Sequence, residues 1–245
     1  MVKDLKEEQQ FHDNVYASNG IKDGKISQKL REPFYKLLSE SIGKYEALVI
    51  DASRNYGSIL ELGGGKDALI KRLPYDADSQ QFYIIDISAK AVELMNSECT
   101  YVNAFCGDAT KSVFPDKHFD LIFGKWILHH LDMIAAINEI KRILKPNGIA
   151  IFIEPMSNPI INVYRKLTPK LRTSDEHPLN KKDLNLFSQN FCSIEYFGFH
   201  LLWFLAPLLI GGKAISKITS FERNLLSRFK FLIPYCWEVI ICVKN

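Results

Sequence analysis

Residues 58–65 read Ser-Ile-Leu-Glu-Leu-Gly-Gly-Gly: a short apolar run, one carboxylate, then three glycines. The run predicts a buried strand that enters a tight turn free of side chains. Glycines at 63, 64 and 65 let the backbone take positive φ and leave room for a ligand to lie against it. Glu61 discriminates between ligands. A carboxylate at the strand tip repels a pyrophosphate and suits a ligand that carries an ammonium group.

Working outward, short apolar runs alternate with helical patterns. Strands are expected at 59–62, 82–86, 101–106, 119–124 and 149–154, with helices at 67–73, 89–97 and 133–144 between them. Ser88 and Asp132 stand where N-caps belong, and Lys145-Pro146-Asn147-Gly148 is a stop signal. Such alternation predicts an α/β fold, a doubly wound, mostly parallel sheet that binds ligands beyond the carboxyl ends of its strands. Before it, residues 1–55 read as helical, broken by glycines at 20 and 24, with an amphipathic repeat from residue 31 onward. After it come a helix over 158–168, a polar loop, a helix over 182–189, a strand over 191–197, a basic helix over 213–230 and a closing strand over 238–243.

Composition excludes several classes. Of 245 residues, 47% are hydrophobic and 24% charged, which is enough for a sizeable core. A net charge of +3 is too small to argue for nucleic acid. The five cysteines are scattered without a C-x-x-C pair, against a disulfide framework or zinc site and for a reducing, cytoplasmic setting. The first residues are polar, with no apolar core of a secretory signal.

Chemistry recurs at successive strand tips. Asp86 ends Tyr-Ile-Ile-Asp-Ile-Ser, where a carboxylate can accept both hydroxyls of a ribose. Asp108, in Cys-Gly-Asp-Ala-Thr, can accept from an adenine amino group. Gly124-Lys125 ends the fourth strand and leads into Trp126-Ile127-Leu128-His129-His130-Leu131. An ammonium, a ribose and an adenine together describe S-adenosylmethionine better than a dinucleotide.

The stretches ILELGGG, YIIDIS, CGDAT, FPDKHFDLIFGKWILHHL and EIKRILKPNGIAIFIEP, over roughly residues 57–155, resemble class I S-adenosylmethionine-dependent methyltransferases of the quinone-biosynthesis branch. The resemblance implies a seven-stranded sheet with an antiparallel last strand. It also implies an N-terminal helical lid over 1–55 and a cofactor domain over 56–245 with a substrate-cap insertion at about 157–235. By the same resemblance Glu61 and the Gly63, Gly64 and Gly65 backbone hold the methionine part and Asp86 the ribose. Asp108 and Ala109 hold the adenine, Ile87 packs on its ring, and Gly124 offers its carbonyl to the amino group. Asp67 stands where the family has a third glycine. The turn therefore also reads as Gly63-x-Gly65-x-x-Ala68, a dinucleotide fingerprint followed by Asp86, which keeps an NAD(P)-binding oxidoreductase as the rival. A non-catalytic cofactor-binding protein is the third reading.

If the acceptor is a hydroxyl it must lose a proton, and His130, past the fourth strand, or His177, in the polar loop before Pro178, would take it as general base. Residues 199–210 are very apolar but too short to span a bilayer. Residues 213–230 carry five basic residues against Glu222 alone, with Ile215, Ile218, Phe221, Leu225, Leu226 and Phe229 expected on one face. That pair of segments reads either as an element that touches anionic membrane, through about 199–230, or as a cap over the sheet. Both make the acceptor a small, lipophilic molecule.

Overall fold

In the computed structural model, residues 28–65, 67–159, 162, 177–202 and 212–245 are described; side chains of 28–37 and 212–216 are not. All but residues 158, 159 and 162 of the expected helix over 158–168, and residues 203–210 of the apolar run 199–210, lie outside the described residues.

Seven strands form one sheet: β1 (Ser58–Leu62), β2 (Gln81–Asp86), β3 (Val102–Cys106), β4 (Phe119–Lys125), β5 (Leu144–Pro155), β6 (Ser193–Phe199) and β7 (Glu238–Lys244). Their order is β3-β2-β1-β4-β5-β7-β6. The first five run parallel, and β7 lies antiparallel to both β5 and β6. The order reverses between β1 and β4, so the crevice for a ligand opens at those two tips.

Alternating side chains on each strand feed two cores, one per face. Leu60, Leu62, Ile122 and Phe152 pack on one side with α3 (Met133–Ile143) and α4 (Lys181–Asn190), whose Ile137, Ile140 and Phe187 are buried there. Ile59, Ile84, Phe123 and Ile151 pack on the other with Tyr45 and Val49 of α1 (Gln28–Ser53). The second half of α1, within the segment expected as a lid, thus belongs to the core. The caps are as read: Ser88 accepts from Ala91 N at the start of α2 (Ala89–Glu98), and Asp132 accepts from Ala135 N at the start of α3. Asn180 caps α4 in a capping box with Asp183.

Three expectations are corrected. The helix expected over 67–73 is only a four-residue 3-10 turn, Leu69–Arg72. Pro74 follows closely, and the Glu61 carboxylate captures the turn's first amides. The stop at 145–148 does not separate helix from strand: β5 already begins at Leu144, and Asn147 takes φ 65° within it while the β4 register shifts between Phe119 and Leu121. The apolar face expected on the basic helix holds only in part: Leu226 is buried and Ile218 and Leu225 are half-buried. In α5 (Gly212–Arg228) Thr219, Glu222 and Leu226 turn inward, and Phe221 stays exposed, as does Phe229 just beyond the helix.

Candidate functional site

At the crevice the chain leaves β1 through Gly63, at φ 64°, and Gly65, at φ 55°. Gly63 N donates to Ile85 O at 2.8 Å, which prolongs the β1–β2 ladder by one bond and fixes where the turn begins. A Cβ on Gly63 would lie 2.6 Å from Ile127 Cδ1. One on Gly64 would lie 2.6 Å from Ile84 Cδ1 and 2.9 Å from Glu61 Cδ. Glycine is required here on both conformational and steric grounds.

Glu61 is buried at the tip of β1. Its Oε1 accepts from Leu69 N at 3.0 Å and its Oε2 from Ile70 N at 2.8 Å. Burial pushes its pKa up to about 7, against the pull of those two amides and of Lys125 and Arg72. The two amides are the donors that a phosphate would use after such a turn, and a carboxylate of this chain already holds them. Asp67, which the spacing placed in the loop, is exposed at the surface.

Asp86 closes the loop from the other side. Its Oδ2 accepts from Gly65 N at 3.0 Å and its Oδ1 from Ser88 N at 2.8 Å. A carboxylate has about four lone-pair directions, so both oxygens retain capacity toward the crevice. Ile87 beside it is half-buried. Gly107 N donates to Asp86 O at 2.9 Å and carries the β2–β3 ladder toward Asp108. Asp108 Oδ1 accepts from Thr110 N and Thr110 Oγ1, both at 2.7 Å. Ala109 packs against the core at its edge. Gly124 pairs with Leu62 across the switch point, and a Cβ there would lie 2.8 Å from Ile127 Cγ2. The cofactor residues expected from sequence are therefore brought to one edge, at the tips of β1, β2, β3 and β4.

The histidines sort differently. Glu154, fully buried at the end of β5, accepts from Ile127 N at 2.8 Å and Leu128 N at 2.7 Å, and its Oε2 lies 2.7 Å from His129 Nδ1. Glu154 is thus the cap of the 3-10 turn Leu128–His130, and His129 is held as part of it. His130 is half-exposed, its ring centroid 4.1 Å from that of His129. His177 N donates to His129 O at 2.9 Å, so the two proposed bases stand on adjoining backbone.

Residues that sequence reading passed over complete the edge. Tyr45 projects from α1 with its hydroxyl buried and without a hydrogen-bond partner among the described residues. Burial, then the charges of Glu61 and Glu154, raise its pKa well above the usual phenol value. Glu238, buried at the start of β7, accepts from Trp126 Nε1 at 3.0 Å and from Ser41 Oγ of α1. His200 Nε2 lies 3.2 Å from Ser41 Oγ. Burial pushes Glu238 up to about 7 and His200 down to about 4, so the imidazole is neutral and the two groups, 3.7 Å apart, do not form an ion pair. Buried carboxylates closing strands at 154 and opening them at 238 are a signal that sequence alone offers; nothing marks Ser41 or His200.

The strand order, the glycine turn and the acidic strand tips define the class I S-adenosylmethionine-dependent methyltransferase fold. Residues 60–152 match the family model described as a methyltransferase domain. The ubiquinone/menaquinone biosynthesis C-methyltransferase UbiE of Cupriavidus taiwanensis is 31% identical over 105 residues, 39% of this chain and 42% of the relative. The mitochondrial arginine-hydroxylase NDUFAF5 of Danio rerio is 28% identical over 121 residues, 48% of this chain and 37% of the relative. The chain thus spans well under half the length of these curated relatives. Among solved structures, the geranyl diphosphate C-methyltransferase of Streptomyces coelicolor A3(2), in complex with S-adenosyl-L-homocysteine, superposes with a TM-score of 0.62 at 13% identity, over 99% of this chain and 98% of that one.

Proposed function

We propose that this protein binds S-adenosylmethionine and transfers its methyl group to a small, lipophilic acceptor through oxygen. The observation that carries the cofactor is the seat of Glu61: its carboxylate fills the amides of Leu69 and Ile70 that a dinucleotide's pyrophosphate would need, and sets a negative charge beside the glycine cradle. Without an α-helix after the turn, no macrodipole stands there to attract phosphate. The residues present suit the sulfonium cofactor. Gly63, Gly64 and Gly65 leave it room, Glu61 faces its ammonium, Asp86 its ribose, and Asp108 with Ala109 its adenine. Ile87 covers the ring, and Gly124 offers its carbonyl.

Bound there, the cofactor supplies an electrophilic methyl group. The chain supplies position and exclusion of water. His130, beside the fixed His129, would take the proton of an acceptor hydroxyl, with His177 the alternative on the same backbone junction. Replacement of Asp86 by Ala is expected to weaken S-adenosylhomocysteine by roughly 1.5–3 kcal/mol, the scale of hydrogen bonds to a charged group; an unchanged dissociation constant would contradict the assignment.

The acceptor side supports a lipophilic molecule and a peripheral membrane contact. Phe221, Phe229, Phe231 and Tyr235 are exposed on α5 and the turn after it, beside exposed Lys217, Arg228 and Lys230. Aromatic rings interleaved with cations suit the headgroup region of an anionic bilayer. Among the described residues, no helix is long and apolar enough to cross a membrane.

A further inference from the structure

A cleft of about 630 Å³ runs between α1, the edge strand β6 and α5. Its walls include Phe197, Phe199, Leu226 and Ile233, and the Arg223–Glu40 ion pair, at 2.6 Å, spans from α5 to α1 at its rim. His200 lines this cleft, and its residue surface is only 1% exposed. The volume falls within the usual range for a small-molecule site.

The imidazole's orientation is determined by its neighbours. Ser41 Oγ has one proton, and its possible acceptors are Glu238 Oε2 and Leu38 O. With that proton given to either of these, the hydrogen between Ser41 Oγ and His200 belongs to Nε2. Nδ1 is left as a bare acceptor, buried and without a hydrogen-bond partner among the described residues. A buried acceptor without a partner is destabilising until a donor reaches it.

The backbone carries a second cost at the same place. His200 and Trp126 both sit in the left-handed region, at φ 63° and 55°, which bulky residues rarely adopt. Such residues are strained and persist where surrounding structure enforces them. Here both side chains meet Glu238: Trp126 Nε1 donates to its Oε1 at 3.0 Å, and His200 Nε2 lies 3.7 Å from its Oε2. Trp126 lies two residues past Gly124, and Glu238 pairs with Pro155 at the tip of β5. The inner end of the cleft therefore adjoins the strand tips that hold the candidate methyl-transfer site.

We infer that this cleft is the acceptor-binding site, and that it takes an amphiphilic small molecule with an apolar body whose hydroxyl or N–H donates to His200 Nδ1. Its designation as an acceptor site rests on the methyl-transfer reading; its ligand chemistry does not. The wall residues take the apolar body, and the Ser41–Glu238 pair holds the imidazole in the accepting tautomer. His200 is thus a specificity-determining residue, and Ser41 and Glu238 position it.

The test uses 4-hexylphenol as probe, titrated into the full chain by calorimetry, with hexylbenzene as the analogue that lacks the donor. S-adenosylhomocysteine is titrated in parallel. The phenol is expected to bind, hexylbenzene to bind on the order of 10-fold more weakly, and both H200F and L226W to weaken the phenol by a similar factor or more. L226W tests the cleft by filling it, should H200F fail to fold; circular dichroism checks each. Absence of phenol binding, equal binding of the two probes, or phenol binding untouched by L226W would overturn the assignment. Phenol binding without S-adenosylhomocysteine binding would leave the cleft standing and remove the methyl-transfer reading.

Discussion

Glu154 holds His129: Oε2 of the first lies 2.7 Å from Nδ1 of the second, and the other carboxylate oxygen takes the amides of Ile127 and Leu128. One fully buried side chain on β5 thereby fixes the turn that leaves β4. A glutamine at 154 keeps the shape but turns an N–H toward one of these donors. E154Q is expected to lower unfolding free energy in urea by about 1–3 kcal/mol, the cost of a buried donor left unpaired. No loss of stability would show that the turn is held by its other contacts. His129, so held, is a part of the frame, whereas H130A is expected to slow turnover by 10²-fold or more with cofactor affinity intact.

With Glu61 facing the cofactor's ammonium as proposed, cofactor affinity is expected to depend on pH. Its pKa in the fold is about 7 against an ordinary 4.5. The folded state therefore holds an extra proton between those values, and this group disfavours folding as pH rises through that window. A bound ammonium favours the ionised carboxylate, so binding expels the proton. S-adenosylhomocysteine is expected to bind more tightly as pH rises from about 5.5 to about 7.5, then level off. Calorimetry in buffers of different ionisation heat would detect the released proton. E61Q should flatten the profile; a profile unchanged by that substitution would assign the proton elsewhere.

The proposed membrane contact has its own signature. Sedimentation with vesicles that contain anionic lipid should exceed that with neutral vesicles and weaken in high salt, because the basic contribution is screened. Replacing Lys217 and Arg228 by Gln should reduce binding by about 1 kcal/mol per charge. Equal partitioning onto neutral and anionic vesicles would contradict the electrostatic half of the proposal, and partitioning onto neither the whole of it.

What was legible in the sequence followed from local signals. β1, β2 and β4 are largely buried runs, so hydrophobicity alone located them, and Ser88 and Asp132 announced their helices by cap chemistry. The tips carrying Glu61, Asp86, Asp108 and Gly124 were legible because each lies within two residues of a strand's carboxyl end. The 3-10 turn after Gly65 was not. Apolar residues at 68, 69, 70 and 73 suit a helix, and only the tertiary placement of Glu61 consumes the amides that would start one. Nor was the Ser41–Glu238–His200 group, whose members meet across 197 and 159 residues of chain. The face of α5 held only in part for a similar reason: burial of Glu222, whose carboxylate accepts from Leu202 N, turns Phe221 to solvent.

The central claim is that Glu61 commits the crevice to a cationic nucleoside rather than to a pyrophosphate. Isothermal titration of S-adenosylhomocysteine beside NADH tests it most directly. Micromolar binding of S-adenosylhomocysteine with none of NADH is the expected result; binding of NADH with none of S-adenosylhomocysteine would contradict it.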